Sequence, residues 1–117
     1  MADAVPDKAL AKRIERVARC FDQTGRLRRW PSRRADQELA LWLIWSQLPG
    51  DGQMDEMEIN ALLRTWHDYE DYVHLRRELI ELDLLRRTPD GGIYRRVSHI
   101  YPPELEALLV RIENPGV

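Results

Sequence analysis

Apolar positions along the chain recur first at helical and then at strand spacing. Leu10, Ile14, Val17 and Phe21 lie at steps of four, three and four, one face of a helix, which predicts a helix from about Asp7 to Phe21 that Gly25 stops. Ser32 is a candidate N-cap for a second helix reaching about Gln47. Its stretch Leu39-Ala40-Leu41-Trp42-Leu43-Ile44-Trp45 is apolar almost all round, and a helix of that kind must be covered on several sides. The first helix, the C-terminal helix or a partner subunit are the available covers, so a homodimer is expected. Asp55 with Glu58 three residues later has the pattern of a capping box, opening a third helix to about Trp66 with Ile59, Leu62, Leu63 and Trp66 inward. After a turn over residues 67–70, Tyr72, Leu75, Leu79 and Leu82 predict a fourth helix from about Asp71 to Asp83. Leu84 to Arg87 and Ile93 to Val97 read as short strands joined by Thr88-Pro89-Asp90-Gly91-Gly92. Pro102-Pro103 can open a last helix, with Leu105, Leu108, Leu109 and Ile112 as its apolar face.

Helix, turn, helix and glycine-turn hairpin, in that order, is the signature of a winged helix-turn-helix, a module that usually sets its second helix in a DNA groove. The expected fold is therefore mainly α with a two-stranded β-wing, a winged helix-turn-helix carrying additional N- and C-terminal helices. Residues 1–25 form the N-terminal helical extension, 26–99 the winged-helix domain and 100–117 the C-terminal helix.

Several residues at fixed offsets carry a further resemblance. They are Phe21-Asp22, Gly25-Arg26-Leu27, Trp30-Pro31-Ser32-Arg33, Glu56, Glu58-Ile59-Asn60, Asp71-Tyr72, Leu75-Arg76-Arg77-Glu78-Leu79, Leu84-Leu85, Arg87, Asp90-Gly91 and Tyr94. Over roughly residues 21–96 the chain resembles a bacterial family of uncharacterised winged-helix domains, which occur alone or attached to helix-turn-helix transcriptional regulators. The resemblance implies a winged-helix fold and a regulatory, nucleic-acid-binding role. It transfers no enzymatic activity.

Composition narrows the class. The chain has 117 residues, 44% hydrophobic and 32% charged, which suits one packed domain. No apolar run approaches the ~20 residues that span a bilayer, so no membrane association is expected. The first residues, Met1-Ala2-Asp3-Ala4, lack a basic-then-apolar leader, and Cys20 is the single cysteine. A cytoplasmic location fits both observations. A net charge of −2 argues against indiscriminate coating of nucleic acid. The distribution of charge says more. Residues 26–34 hold five arginines and no acid, whereas residues 51–71 hold seven acids and one arginine. Arginine outnumbers lysine 16 to 2, for which GC-rich coding is the plain explanation.

The basic segment is the first candidate site. Arg26, Arg28, Arg29, Arg33 and Arg34 can hold phosphates, because guanidiniums beside the free N–H groups of a helix start form an anion site. Trp30 can stack on a base or cover that site. The competing reading pairs these arginines with the acidic 51–71 stretch. On the fourth helix, His74 and Arg77 face outward toward bases, while Glu70, Asp71, Glu78, Glu81 and Asp83 oppose phosphate contact. At least one of Arg76 and Arg77 is expected in an internal Arg–acid network with Glu58 or Asp71. In the hairpin, Arg95 and Arg96 can act as wing contacts. His67, His74 and His99 lack the spacing of a zinc pair, and no phosphate loop or nucleophile elbow is present, so no metal, cofactor or enzymatic activity is expected. The leading expectation is a nucleic-acid-binding, transcription-related protein. The alternative is a protein-interaction module that docks on a regulator, polymerase or ribosome component through the acidic helix face.

Overall fold

The computed structural model describes residues 8–50, 52–67 and 71–114. Five helices and one hairpin follow in order: α1 Lys8–Ala18, α2 Arg34–Ser46, α3 Glu56–Trp66, α4 Tyr72–Glu81, β1 Leu85–Arg87, β2 Tyr94–Arg96 and α5 Pro103–Glu113. The molecule is mainly helical with a two-stranded antiparallel wing, and each of the five helices and two strands falls within the stretch that the periodicity sets for it.

Four local devices set the boundaries. At α3 the capping box is present in full: Glu58 N–H donates to Asp55 Oδ1 at 2.8 Å and Asp55 N–H to Glu58 Oε1 at 2.8 Å. The Asp71 carboxylate accepts from His74 N–H at 2.9 Å and starts α4. α4 ends in a Schellman turn, with Leu84 N–H on Leu79 O at 2.9 Å and Asp83 N–H on Ile80 O at 3.0 Å. Its left-handed residue is Asp83, at φ 58°, where glycine is usual. In the wing the pairs are Leu85 with Arg96, Arg86 with Arg95 and Arg87 with Tyr94. Met54 forms an isolated bridge at the edge of the hairpin, exchanging 2.9 and 2.7 Å backbone hydrogen bonds with Tyr94.

Two helix ends differ from the periodicity. α1 stops at Ala18 rather than Phe21, because Phe21 turns back to form a bridge with Leu27. The Asp22 carboxylate holds that reversal, accepting from Thr24 N–H at 2.9 Å, Thr24 Oγ1 at 2.6 Å and Arg26 N–H at 3.1 Å, with Gly25 at φ 85°. Ser32 is not the cap of α2. Arg33 occupies the N-cap, and no side chain caps the helix there.

One apolar cluster runs through the molecule, from Ile14 and Val17 of α1 to Leu108 and Ile112 of α5. The N- and C-terminal helices therefore share a core with the winged-helix segment. α2 is its axis, with Ala40, Leu41, Leu43, Ile44 and Trp45 all at 0% exposure. α1, α4 and α5 pack around it. The apolar surplus that motivated a partner subunit is thus covered within one chain, and α4 is a cover absent from the sequence reading. Trp45 carries its polar edge inward by donating Nε1–H to Val97 O at 2.8 Å, which ties the exit of the wing to α2. No helix among the described residues is long and apolar enough to cross a membrane.

Candidate nucleic-acid interface

The basic run 26–34 does not fold as one patch. Leu27 is fully buried and its N–H donates to Trp66 O at 2.8 Å, so this segment is stitched across the end of α3. The arginines around it splay in different directions. Arg26 donates Nη1–H to Thr65 O at 3.2 Å. Arg28 lies 3.5 Å from Asp22. Partial burial pushes the Asp22 carboxyl up, but hydrogen bonds from Thr24, the Arg26 N–H and Arg28 outweigh it and hold the group below its ordinary value.

Arg34 reaches α4, 2.6 Å from Glu78, and is also 3.1 Å from Glu38. Glu78 and Glu38 raise its guanidinium above the ordinary value. His74 faces the same Glu78 at 3.7 Å and meets Trp30 edge to face, the ring centroids 5.1 Å apart. Glu78 thus anchors the start of α2 to α4, which accounts for one of the acids that had counted against phosphate contact. Arg29 and Arg33 are exposed and form no side-chain ion pair or hydrogen bond among the described residues.

On the other edge of α4, Arg76 and Arg77 separate. Arg76 is internal: its Nη1 donates to Asn60 Oδ1 at 2.6 Å, lies 3.5 Å from Glu56, and its guanidinium sits 5.5 Å from the Tyr94 ring centroid. Its partners are Glu56 and Asn60, rather than the expected Glu58 or Asp71, because the caps of α3 and α4 occupy both of those carboxylates. Arg77 is exposed and forms no ion pair among the described residues.

In the wing the two candidates also part. Arg95 is exposed. Arg96 turns inward, stacking 4.1 Å over the Trp45 ring and donating Nη1–H to Leu48 O at 3.1 Å. Strand alternation places it beside Tyr94 on the core side, so Arg96 belongs to the packing of the wing against α2. Arg86 is held by Asp83 at 2.9 Å, which raises the guanidinium and lowers the carboxyl from their ordinary values.

Arg87, one of the four wing arginines that flank Asp90, was not chosen from the sequence as a contact beside Arg95 and Arg96, yet it is central. It lines two neighbouring clefts at once. One, of about 190 Å³, also holds Arg86, Arg95 and Gln53; the other, of about 300 Å³, holds Arg76, Arg77, Val73 and Glu81. Arg77 and Arg87 therefore line one cleft and Arg87 and Arg95 the other, with Glu81 the one carboxylate among their described lining residues. Alternation did not point to Arg87: it stands opposite Tyr94 across the hairpin, on the face that Tyr94 and Arg96 turn to the core, yet at the end of β1 it is exposed.

A further feature had no sequence signal. Asp36 is 3% exposed, and Arg16 binds it through two hydrogen bonds of 2.8 and 3.1 Å, with Arg13 at 4.0 Å. Sequence gives no reason to join α1 and α2 at that point, since the partners are 20 residues apart.

Among the described residues no group of three or more histidine, cysteine or acidic side chains is arranged to hold a metal ion. His67 is buried, its Nδ1 on Leu63 O, and Cys20 is buried as a free thiol. No curated protein matches the chain, and neither does any solved structure. A bacterial protein family matches residues 26–96, from the basic segment to the second strand of the wing and more than half of the chain. The chain belongs to that family, described as "Uncharacterized protein conserved in bacteria (DUF2087)".

Proposed function

We propose that this protein binds nucleic acid through the outer edge of α4 and the wing, as a small transcription-related factor of the winged-helix kind. One observation carries the reading: Arg77, Arg87 and Arg95 line two clefts that meet at Arg87, and none of them is ion-paired among the described residues. Unpaired guanidiniums on a recognition helix and its wing are what a phosphate backbone selects, and the release of condensed counterions then drives binding. The segment 26–34 has a supporting part. Arg34 and Glu78 lock α2 to α4 and leave the opposite edge of α4 free for the duplex. A cytoplasmic protein would meet its target there.

Titration of a short random duplex at several salt concentrations tests this. Three engaged arginines give a log–log slope of about −2.7, and the triple variant Arg77→Ala/Arg87→Ala/Arg95→Ala brings it close to zero. Undetectable binding at low ionic strength ends the proposal. A second reading, docking of a protein on the same helix, is favoured by Val73, 41% exposed on that face, and by Met57, 81% exposed on α3. Under that reading Val73→Ser abolishes partner binding while the triple arginine variant weakens it only slightly.

A further inference from the structure

A second basic site lies apart from the α4–wing face and does not depend on how that face is used. Between the end of α1 and the segment entering α2 is a cleft of about 290 Å³, lined by Arg16, Arg19, Arg29, Arg33, Trp30 and Asp36 among others. Among the described residues four arginines and one carboxylate line it. That carboxylate is already occupied, since both Asp36 oxygens accept from Arg16. Arg29 and Arg33 are left without a side-chain hydrogen bond or ion pair among the described residues, and Arg19 has only the electrostatic attraction of Glu15.

The wall of the cleft includes the first turn of a 13-residue helix, through Arg33 and Asp36. Arg33 sits at the N-cap with an extended backbone and no side chain caps the helix, so the first N–H groups of α2 lack the acceptor that serine or aspartate would supply. An arginine at that position brings no acceptor of its own, and Asp36, the acid of the first turn, is engaged by Arg16. An anion in the cleft supplies the missing acceptor.

We propose that this cleft binds the phosphate monoester group of a small organic molecule. Three guanidinium forks and an open helix start offer more donors than a single carboxylate can accept. The three terminal oxygens of a phosphate, at nearly two negative charges, match them better. The cleft is several times larger than a phosphate group, and Trp30 forms part of its wall, so an organic moiety can lie against the indole while the phosphate meets the arginines.

Titration of the full chain with phenyl phosphate, followed by amide NMR at constant ionic strength, tests the site, with phenol as the uncharged control. Expected are saturable shifts at the amides of Arg34, Ala35 and Asp36 and at the Trp30 indole N–H, with none from phenol. Arg29→Ala/Arg33→Ala weakens binding at least tenfold, whereas Arg77→Ala/Arg95→Ala leaves it unchanged. Both replaced side chains are exposed and unpaired, so the fold should tolerate their loss. If circular dichroism shows otherwise, Arg33→Lys, which keeps the charge and loses the fork, still predicts weaker binding. No shift in the wild type at about 10 mM phenyl phosphate, far above the dissociation constant of a built site, overturns the proposal. So does binding by Arg29→Ala/Arg33→Ala within twofold of wild type. Loss of duplex DNA affinity in that double variant, equal to the loss on replacing Arg77, Arg87 and Arg95, also overturns it, because the cleft would then belong to the duplex interface.

Discussion

Replacing Trp45 by phenylalanine isolates the joint between the wing and the helical core. Trp45 is fully buried, and its indole N–H is 2.8 Å from Val97 O. Its ring lies 4.1 Å beneath the Arg96 guanidinium and packs edge to face with Trp42 and Tyr101, centroids 5.1 and 5.2 Å apart. Phenylalanine keeps an aromatic ring but loses the donor, leaving the Val97 carbonyl unsatisfied at a cost of about 1–2 kcal/mol. The missing ring volume, roughly 40 Å³, costs about 1 kcal/mol at ~24 cal/mol per Å³. A weaker cation–π face toward Arg96 removes about 0.5 kcal/mol more. The total is about 3 kcal/mol, which for a chain of this size lowers Tm by roughly 12 °C. Urea denaturation should show the midpoint falling with an unchanged m-value. Hydrogen exchange should show the largest loss of protection at the wing, where Val97 N–H pairs with Leu84 O. A loss below about 1 kcal/mol, or exchange changes confined to α2, would refute the view that this indole fastens the wing.

Other substitutions probe other joints. Gly25→Ala should cost about 2 kcal/mol in urea denaturation. The backbone there is at φ 85°, and the Cβ needs only the end of the flexible Gln47 side chain, 2.5 Å away, to swing aside, so Gly91→Ala, at φ 74° with nothing within 4 Å, should cost nearly as much. Asp36→Ala should lower Tm by several degrees, and Arg16→Ala/Asp36→Ala should be less damaging than the two single changes added, because the pair joins α1 to α2; strict additivity would show that it does not. Acid should destabilise the fold in a defined direction. The Arg111 hydrogen bond lowers Glu15, Arg86 lowers Asp83, and the Thr88 hydroxyl with the Gly92 N–H lowers Asp90. Folded values below the unfolded ones contribute stability that is fully present above the ordinary carboxylate range and is lost as pH falls through the folded values. The urea midpoint should therefore keep the full contribution of these groups, and not vary with their titration, between about pH 5 and 7, and should drop below about pH 4, with a shallower drop in Arg111→Ala.

Helix and strand order was legible because it rests on local rules. The periods of Ile59, Leu62, Leu63 and Trp66, and of Leu75, Leu79 and Leu82, together with the Asp55–Glu58 box, act over one or two turns and need no knowledge of distant contacts. The same locality explains the errors at boundaries. Phe21 satisfied the stripe of α1, yet a bridge to Leu27 bound it more strongly than another helical turn could. Ser32 was the better cap by chemistry, but the path of the chain past Leu27 and Pro31 brought Arg33 to that position.

Charge placement could not be read in the same way. Sequence gathered Arg26, Arg28, Arg29, Arg33 and Arg34 into one cluster, and the structure distributes them among Thr65, Asp22, Glu78 and an open cleft. The reason is reach: a guanidinium on a long, flexible stem goes to whichever acceptor tertiary packing brings near. Those acceptors lie up to 44 residues away, as with Arg34 and Glu78. Arg96 and Arg95 are neighbours in sequence, but the pleat sends one to Trp45 and the other to solvent. The sequence alone determined the order of elements, their buried faces and the wing, because each depends on residues a few positions apart. Only the tertiary structure decided which arginines are already neutralised and which remain for a ligand, because that choice depends on the distances between elements that fold together.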